Sequence, residues 1–196
     1  MKLFLLTATV ILSMFSVNAL GQNATITPVA NKASLSAADK KTVTDFEKRL
    51  QRYVSDRQAF EQTVPMPPKE ATPEQIAAHK ITLQKAVQGW RVNAKQGDIF
   101  TQQIALLMKE MIRKEFVGWE ASELRKAVLE ADTKGVPVKV NAPYPDSKEL
   151  IEMPPPLLLT LPQLPKQLRY RFIGRNLALL DRDNALILDF ITNALP

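Results

Sequence analysis

The chain of 196 residues contains no cysteine and a single histidine, His79. Disulfides, a thiol nucleophile and the lipid-modified cysteine of a bacterial lipoprotein are thereby excluded. Zinc sites built from nitrogen and sulfur cannot be assembled within one chain. A Ser-His-Asp arrangement would have to combine His79 with Ser36, Ser55, Ser122 or Ser147, none of which stands in a G-x-S-x-G elbow. Glycines are few and scattered, at 21, 89, 97, 118, 135 and 174, so no glycine-rich phosphate loop is present. The charge-free apolar run from Leu3 to Val17 is shorter than the roughly 20 residues that span a bilayer as a helix.

That run follows Lys2 and ends in the small residues Val17-Asn18-Ala19, the layout of a secretory signal peptide cleaved after Ala19 or Gly21. An uncleaved anchor is the alternative. The expected destination is the periplasm or the exterior of the cell. An exported protein without disulfides must rely on its core, which a mature chain of about 175 residues can supply as one domain or two small ones. The formal charge of +6 falls by one with Lys2 and forms no block. Such a surplus favours attraction to anionic envelope polymers or lipid head groups, and peripheral membrane contact stays open. Nucleic acid is not expected as a partner, because export separates the protein from it.

After a polar, aperiodic tail over residues 20–35, Ser36-Ala37-Ala38-Asp39 offers an N-cap with an acid three residues on. Val43, Phe46, Leu50, Tyr53, Val54, Phe60 and Val64 then recur at helical spacing, up to Pro65. Thr72-Pro73-Glu74-Gln75 starts a second helix carrying Ile76, Leu83, Val87, Trp90 and Ala94, which stops near Gly97. Asp98 is expected to cap a third, with Ile104, Leu107, Met108, Met111 and Ile112 on its stripe. Gly118 marks a kink or break before a last helical segment, Glu120 to Asp132. Short connections make this an antiparallel bundle of three or four helices over residues 36–132. His79 is expected as a hydrogen-bonded residue at the core edge, and Trp90 and Trp119 as core.

Eight of the 14 prolines fall within residues 133–165, an extended connector with at most one or two helical turns. Leu157, Leu158, Leu159 and Leu161 are expected to cover the apolar face of the strands that follow. An exposed Leu-Pro ligand for another protein is the alternative.

Residues 166–196 carry the clearest pattern. Leu168, Tyr170 and Phe172 alternate with Arg169 and Arg171, the period of a half-buried strand. Gly174-Arg175 fits a two-residue hairpin loop, which sets Ile173 against Asn176, Phe172 against Leu177 and Tyr170 against Leu179. A turn at Asp183-Asn184 leads to a third strand, Ala185 to Ile191. The expected rows are Phe172-Leu177-Phe190 and Tyr170-Leu179-Leu188, with an Arg171–Asp189 ion pair on the opposite face. The alternation separates arginines from aromatics, against a nucleic-acid stacking platform. Asp181, Asp183 and Asn184 suggest a calcium loop, but Ala185, Leu186 and Thr192 break the EF-hand pattern. They read as turn formers.

The segments QGDIFT, VKVNAPYP and MPPPLLLTLPQLPKQLRYRFIGRNLALLDRDNALILDFITNALP resemble a group of small exported bacterial proteins of uncharacterised (hypothetical) function, over residues 96–196. The resemblance implies export and a bacterial source, and it carries over no functional residue.

The whole reads as an α+β protein: a helical bundle, a proline-rich connector and a C-terminal three-stranded antiparallel β-meander. The expected function is a non-catalytic binding or structural module of the periplasm or cell envelope, with no catalytic, metal or cofactor residues assigned. Its partner would be a protein or an anionic envelope component. Arg169, Arg171, Leu180, Ile187 and Ile191, on the wetted face of the meander, are the candidate interaction surface. The alternative is a hydrolase using a carboxylate pair on an envelope polymer, and the 20 acidic residues offer many such pairs.

Overall fold

The computed structural model describes residues 35–117, 120–130, 132–148 and 153–196. The expected signal peptide, nearly all of the expected tail, Gly118 and Trp119 lie outside the described residues. Three long helices, α1 (Ala37–Glu61), α2 (Pro73–Trp90) and α3 (Gln102–Glu115), are followed by α4 (Glu120–Leu129) and the short α5 (Pro155–Thr160). A three-stranded antiparallel sheet, ordered β1 (Leu168–Ile173), β2 (Asn176–Asp181), β3 (Ile187–Ile191), completes the chain.

The helix starts follow their capping residues. Ser36 Oγ accepts from Asp39 N at 3.1 Å, and Thr72 and Gln75 form a reciprocal capping box. α2 ends at Trp90, earlier than the spacing suggested, and Ile76 is left exposed while Leu83 and Val87 are buried. Asp98 does not cap α3: its carboxylate closes a tight turn by accepting from Lys95 N at 2.9 Å, and α3 begins only after Thr101. His79 is half-buried, with Nδ1 3.0 Å from Pro65 O.

α1 packs against α2 and α3, and α3 against α5. Phe46, Leu50, Ile104, Met108 and Ile112 meet the sheet's inner row of Leu168, Tyr170, Leu177 and Leu179 in one core. Phe46 stacks on Phe100 at 5.6 Å between ring centroids. Leu157 and Leu161 join this core, as expected. Leu158 and Leu159 remain 50% and 66% exposed, because α5 has only one face to bury.

Gly174 takes φ +54, and β1 and β2 pair in the expected register from Ile173↔Asn176 to Leu168↔Asp181. At the second turn the left-handed residue is Ala185, with φ 55, and not Asp183 or Asn184. Leu180↔Ile187 keeps the expected register of β2 and β3, but Leu179 then faces Asp189, Ala178 faces Phe190, and Leu177 faces Ile191. Leu188 is the extra residue of a β-bulge. Every residue after it shifts by one, so Ile191 and not Phe190 opposes Leu177. Asp189 falls in the row of Leu179 and Tyr170, while Arg171 stays in the row of Ala178 and Phe190. The expected Arg171–Asp189 pair is therefore divided between the two faces.

The outer face is covered as well. The segment 136–144 crosses it as a strap, with Val136 and Tyr144 buried against Ile173, Ala178, Leu180 and Ile187. It bonds to the margin of β3 through Tyr144 N to Ala185 O and Asn141 N to Ile187 O, both 2.8 Å, and through Ile187 N to Ala142 O at 3.0 Å.

Candidate functional site

The acids of the second turn are structural. Asp181, fully buried, accepts from the Tyr53 hydroxyl at 2.7 Å through Oδ2, and Arg57 Nε lies 2.8 Å from the same oxygen. Its Oδ1 accepts from Asp183 N at 3.0 Å and Asn184 N at 3.4 Å, which shapes the turn. Arg57 also reaches Asp183 at 2.5 Å and Glu61 at 3.1 Å. Burial works to lower the Arg57 pKa, but Asp181, Glu61 and Asp183 together hold it above its ordinary value. Burial, with the Asp181 charge beside it, pushes the Tyr53 hydroxyl far above the usual phenol range. These contacts pin α1 to the tip of the β2–β3 hairpin. Among the described residues no group of three or more acids or histidines is placed to hold a metal ion.

Asp189 is a second buried carboxylate, received by Gly97 N at 3.0 Å, Ile99 N at 2.9 Å and Phe100 N at 2.8 Å. Phe190 N adds a fourth bond, at 2.8 Å. Burial raises its pKa and the backbone donors oppose that rise only in part. The free margin of β3 is also closed. Gln84 Nε2 donates to Asn184 O at 2.7 Å, Arg91 Nη2 to Leu188 O at 2.8 Å and Gln96 Nε2 to Phe190 O at 3.2 Å.

The five residues of the expected interaction surface do not form one. Leu180 and Ile187 are buried beneath the strap, and the bulge carries Ile191 into the helix-facing core. Arg169 and Arg171 are half-buried.

These two arginines line a groove of about 450 Å³ where the 153–166 segment runs past β1. Lys166 and Arg182 bring the cations of its lining to four, and among the described residues no carboxylate lines it. Met153, Leu158 and Leu164 supply apolar wall. Arg182 is exposed, with Nε donating to Leu168 O at 3.1 Å, and Arg171 Nη1 donates to Tyr170 O at 2.8 Å. Arg169 Nε is buried without a hydrogen-bond partner among the described residues. Burial, and then the like charge of Arg182, hold the Arg169 pKa below its ordinary value. Sequence reasoning missed Lys166 and Arg182, since only the return of the chain past β1 brings them to the two arginines.

A second hollow, of about 410 Å³, is lined by Asp39, Glu110 and Glu115 among others. Each acid has a neighbour: Ser36 Oγ donates to Asp39 at 2.7 Å, Lys114 lies 3.4 Å from Glu110, and Thr160 Oγ1 donates to Glu115 at 2.7 Å. No described helix is long and apolar enough to cross a membrane. The chain matches no protein-family model, no curated protein and no solved structure.

Proposed function

We propose that this is a non-catalytic binding module of the bacterial periplasm or cell envelope, and that the groove beside β1 takes an anionic component. On this reading α1, α2 and α3 form an N-terminal antiparallel bundle that serves as scaffold, and the chain belongs with the exported bacterial proteins it resembles over residues 96–196. The supporting observation is the lining of the groove, with four cations and no carboxylate among the described residues. Like charges held together in a partly dehydrated concavity repel one another, and an anion relieves that repulsion.

The test is a salt gradient on an immobilised sulfated polysaccharide. Lys166→Glu with Arg182→Glu should elute at clearly lower salt than Lys40→Glu with Lys85→Glu, which makes the same change of charge at exposed sites outside the groove. Equal elution of the two variants would refute the groove as the site.

The acid-lined hollow beside α3 favours the second reading, a carboxylate-dependent hydrolase acting on an envelope polymer. That reading requires release of new polymer ends by the wild type and loss of the release in Glu110→Gln with Glu115→Gln. A wild type that releases no ends excludes it.

A further inference from the structure

We propose that the groove receives an extended acidic segment of a partner protein, gripped through its side chains and not by strand addition, an inference that rests on the groove being an anion-binding surface. Strand addition to β1 would need outward-facing backbone groups, and those at the Leu168 end are already engaged. Asp181 directs its N–H to Leu186 O across β2 and β3, so by alternation Leu168 and Tyr170 turn theirs outward from the sheet. Leu168 N donates to Pro165 O, Leu168 O accepts from Arg182, and Tyr170 O accepts from Arg171. Both residues are also buried.

Side chains remain for recognition, and they are of two kinds. Planar guanidinium forks at Arg169 and Arg182, with the exposed Lys166 beside them, match carboxylates. Leu158, half exposed on the same groove, leaves apolar area that an aliphatic side chain of the segment would cover. Charge complementarity thus asks for acids, and the wall asks for aliphatic residues among them. A lipid surface fits less well. Arg169 and Arg171 are half-buried in a concavity, where a flat layer of head groups cannot follow but a single extended chain can.

The probe is a fluorescein-labelled peptide of alternating leucine and aspartate, about eight residues long. It is titrated with the protein by anisotropy at low salt, beside its leucine-asparagine counterpart, inorganic phosphate as competitor and vesicles of anionic phospholipid. The aspartate peptide should bind and the asparagine peptide should not. Lys166→Glu with Arg182→Glu should weaken binding about tenfold or more, and Leu158→Ser about threefold. All three positions are exposed, so thermal melts of the variants should match the wild type. Equal binding of the two peptides, or variants of unchanged affinity, would overturn the inference. Vesicles bound in place of the peptide, or phosphate bound alone, would overturn it and leave the anion-binding reading standing. Failure of every anionic probe would remove both.

Discussion

Arg57 and Asp189 show how much a single buried charge can organise. Arg57 falls on the apolar stripe of α1, four residues after Tyr53, where a leucine would be ordinary. Its side chain is only 4% exposed and is surrounded by Asp181, Asp183 and Glu61. Replacing it with methionine keeps most of the volume but strands the Asp181 carboxylate in the core, so Arg57→Met should lose about 3 to 5 kcal/mol in denaturant unfolding. For Asp189 the folded pKa is raised above the ordinary 3.8. Its linkage term is thus fully present below that value and is lost as pH rises through the folded pKa. Stability measured against pH should show a fall from this group above about 3.8, and Asp189→Ala, though weaker throughout, should lack that fall. Position alone hints at Arg57 in the sequence, since 43, 46, 50, 53 and 57 share one helical face. Two of its three partners, Asp181 and Asp183, lie more than a hundred residues away and leave no local mark. The acids at 181 and 183 were legible as turn formers, and the core role of Asp181 was not.

At the level of elements, local patterns carried as far as local physics decides. Both capping sequences, the 168–173 strand and the Gly174 hairpin were legible because each is settled within a few residues by a side-chain cap, an alternation or a permitted φ. The register of β2 against β3 was legible only as far as Leu180↔Ile187. Leu188 bulges because the shift delivers Asp189 to the backbone donors of the 97–100 turn, and alternation carries no information about donors in another part of the chain. That turn depends on Gly97 at φ +93. A Cβ there meets nothing closer than Phe100 O at 3.9 Å, so the cost of substitution is backbone conformation and not collision. Gly97→Ala should therefore destabilise by about 1 to 2 kcal/mol in thermal or denaturant melts. The strap explains why the outer face was misjudged. Leucine and isoleucine on a face that also carries arginines suggested a surface for a partner, and the partner is residues 136–144 of the same chain.

For the molecule as a whole, composition spoke mainly by exclusion, and the α+β class followed from the order of periodic segments. The positive net charge was legible in the sequence, but the place where four cations gather was not. Arg169 and Arg171 come from one strand, Arg182 from the turn after the next, and Lys166 from the end of the connector, so the groove exists only once these have been folded together. Its electrostatic character gives a further expectation. Binding of a sulfated polysaccharide should weaken linearly in logarithmic salt, and the slope should flatten in Lys166→Glu with Arg182→Glu as fewer ions are displaced.

The contact of α1 with the hairpin tip also bears on when this molecule can exist. Tyr53 and Asp181 are 128 positions apart, and Ala194 and Leu195, almost the last residues, are buried. A chain made from its first residue onward can therefore pack α1 on α2 and α3 early, but it cannot complete the buried charge contacts of α1 until the β2–β3 hairpin has been made. Closing so long a loop is slow compared with forming a turn of helix. The Arg57 charge thus waits for the two aspartates that neutralise it, and the last contacts of α1 are made by residues far along the sequence.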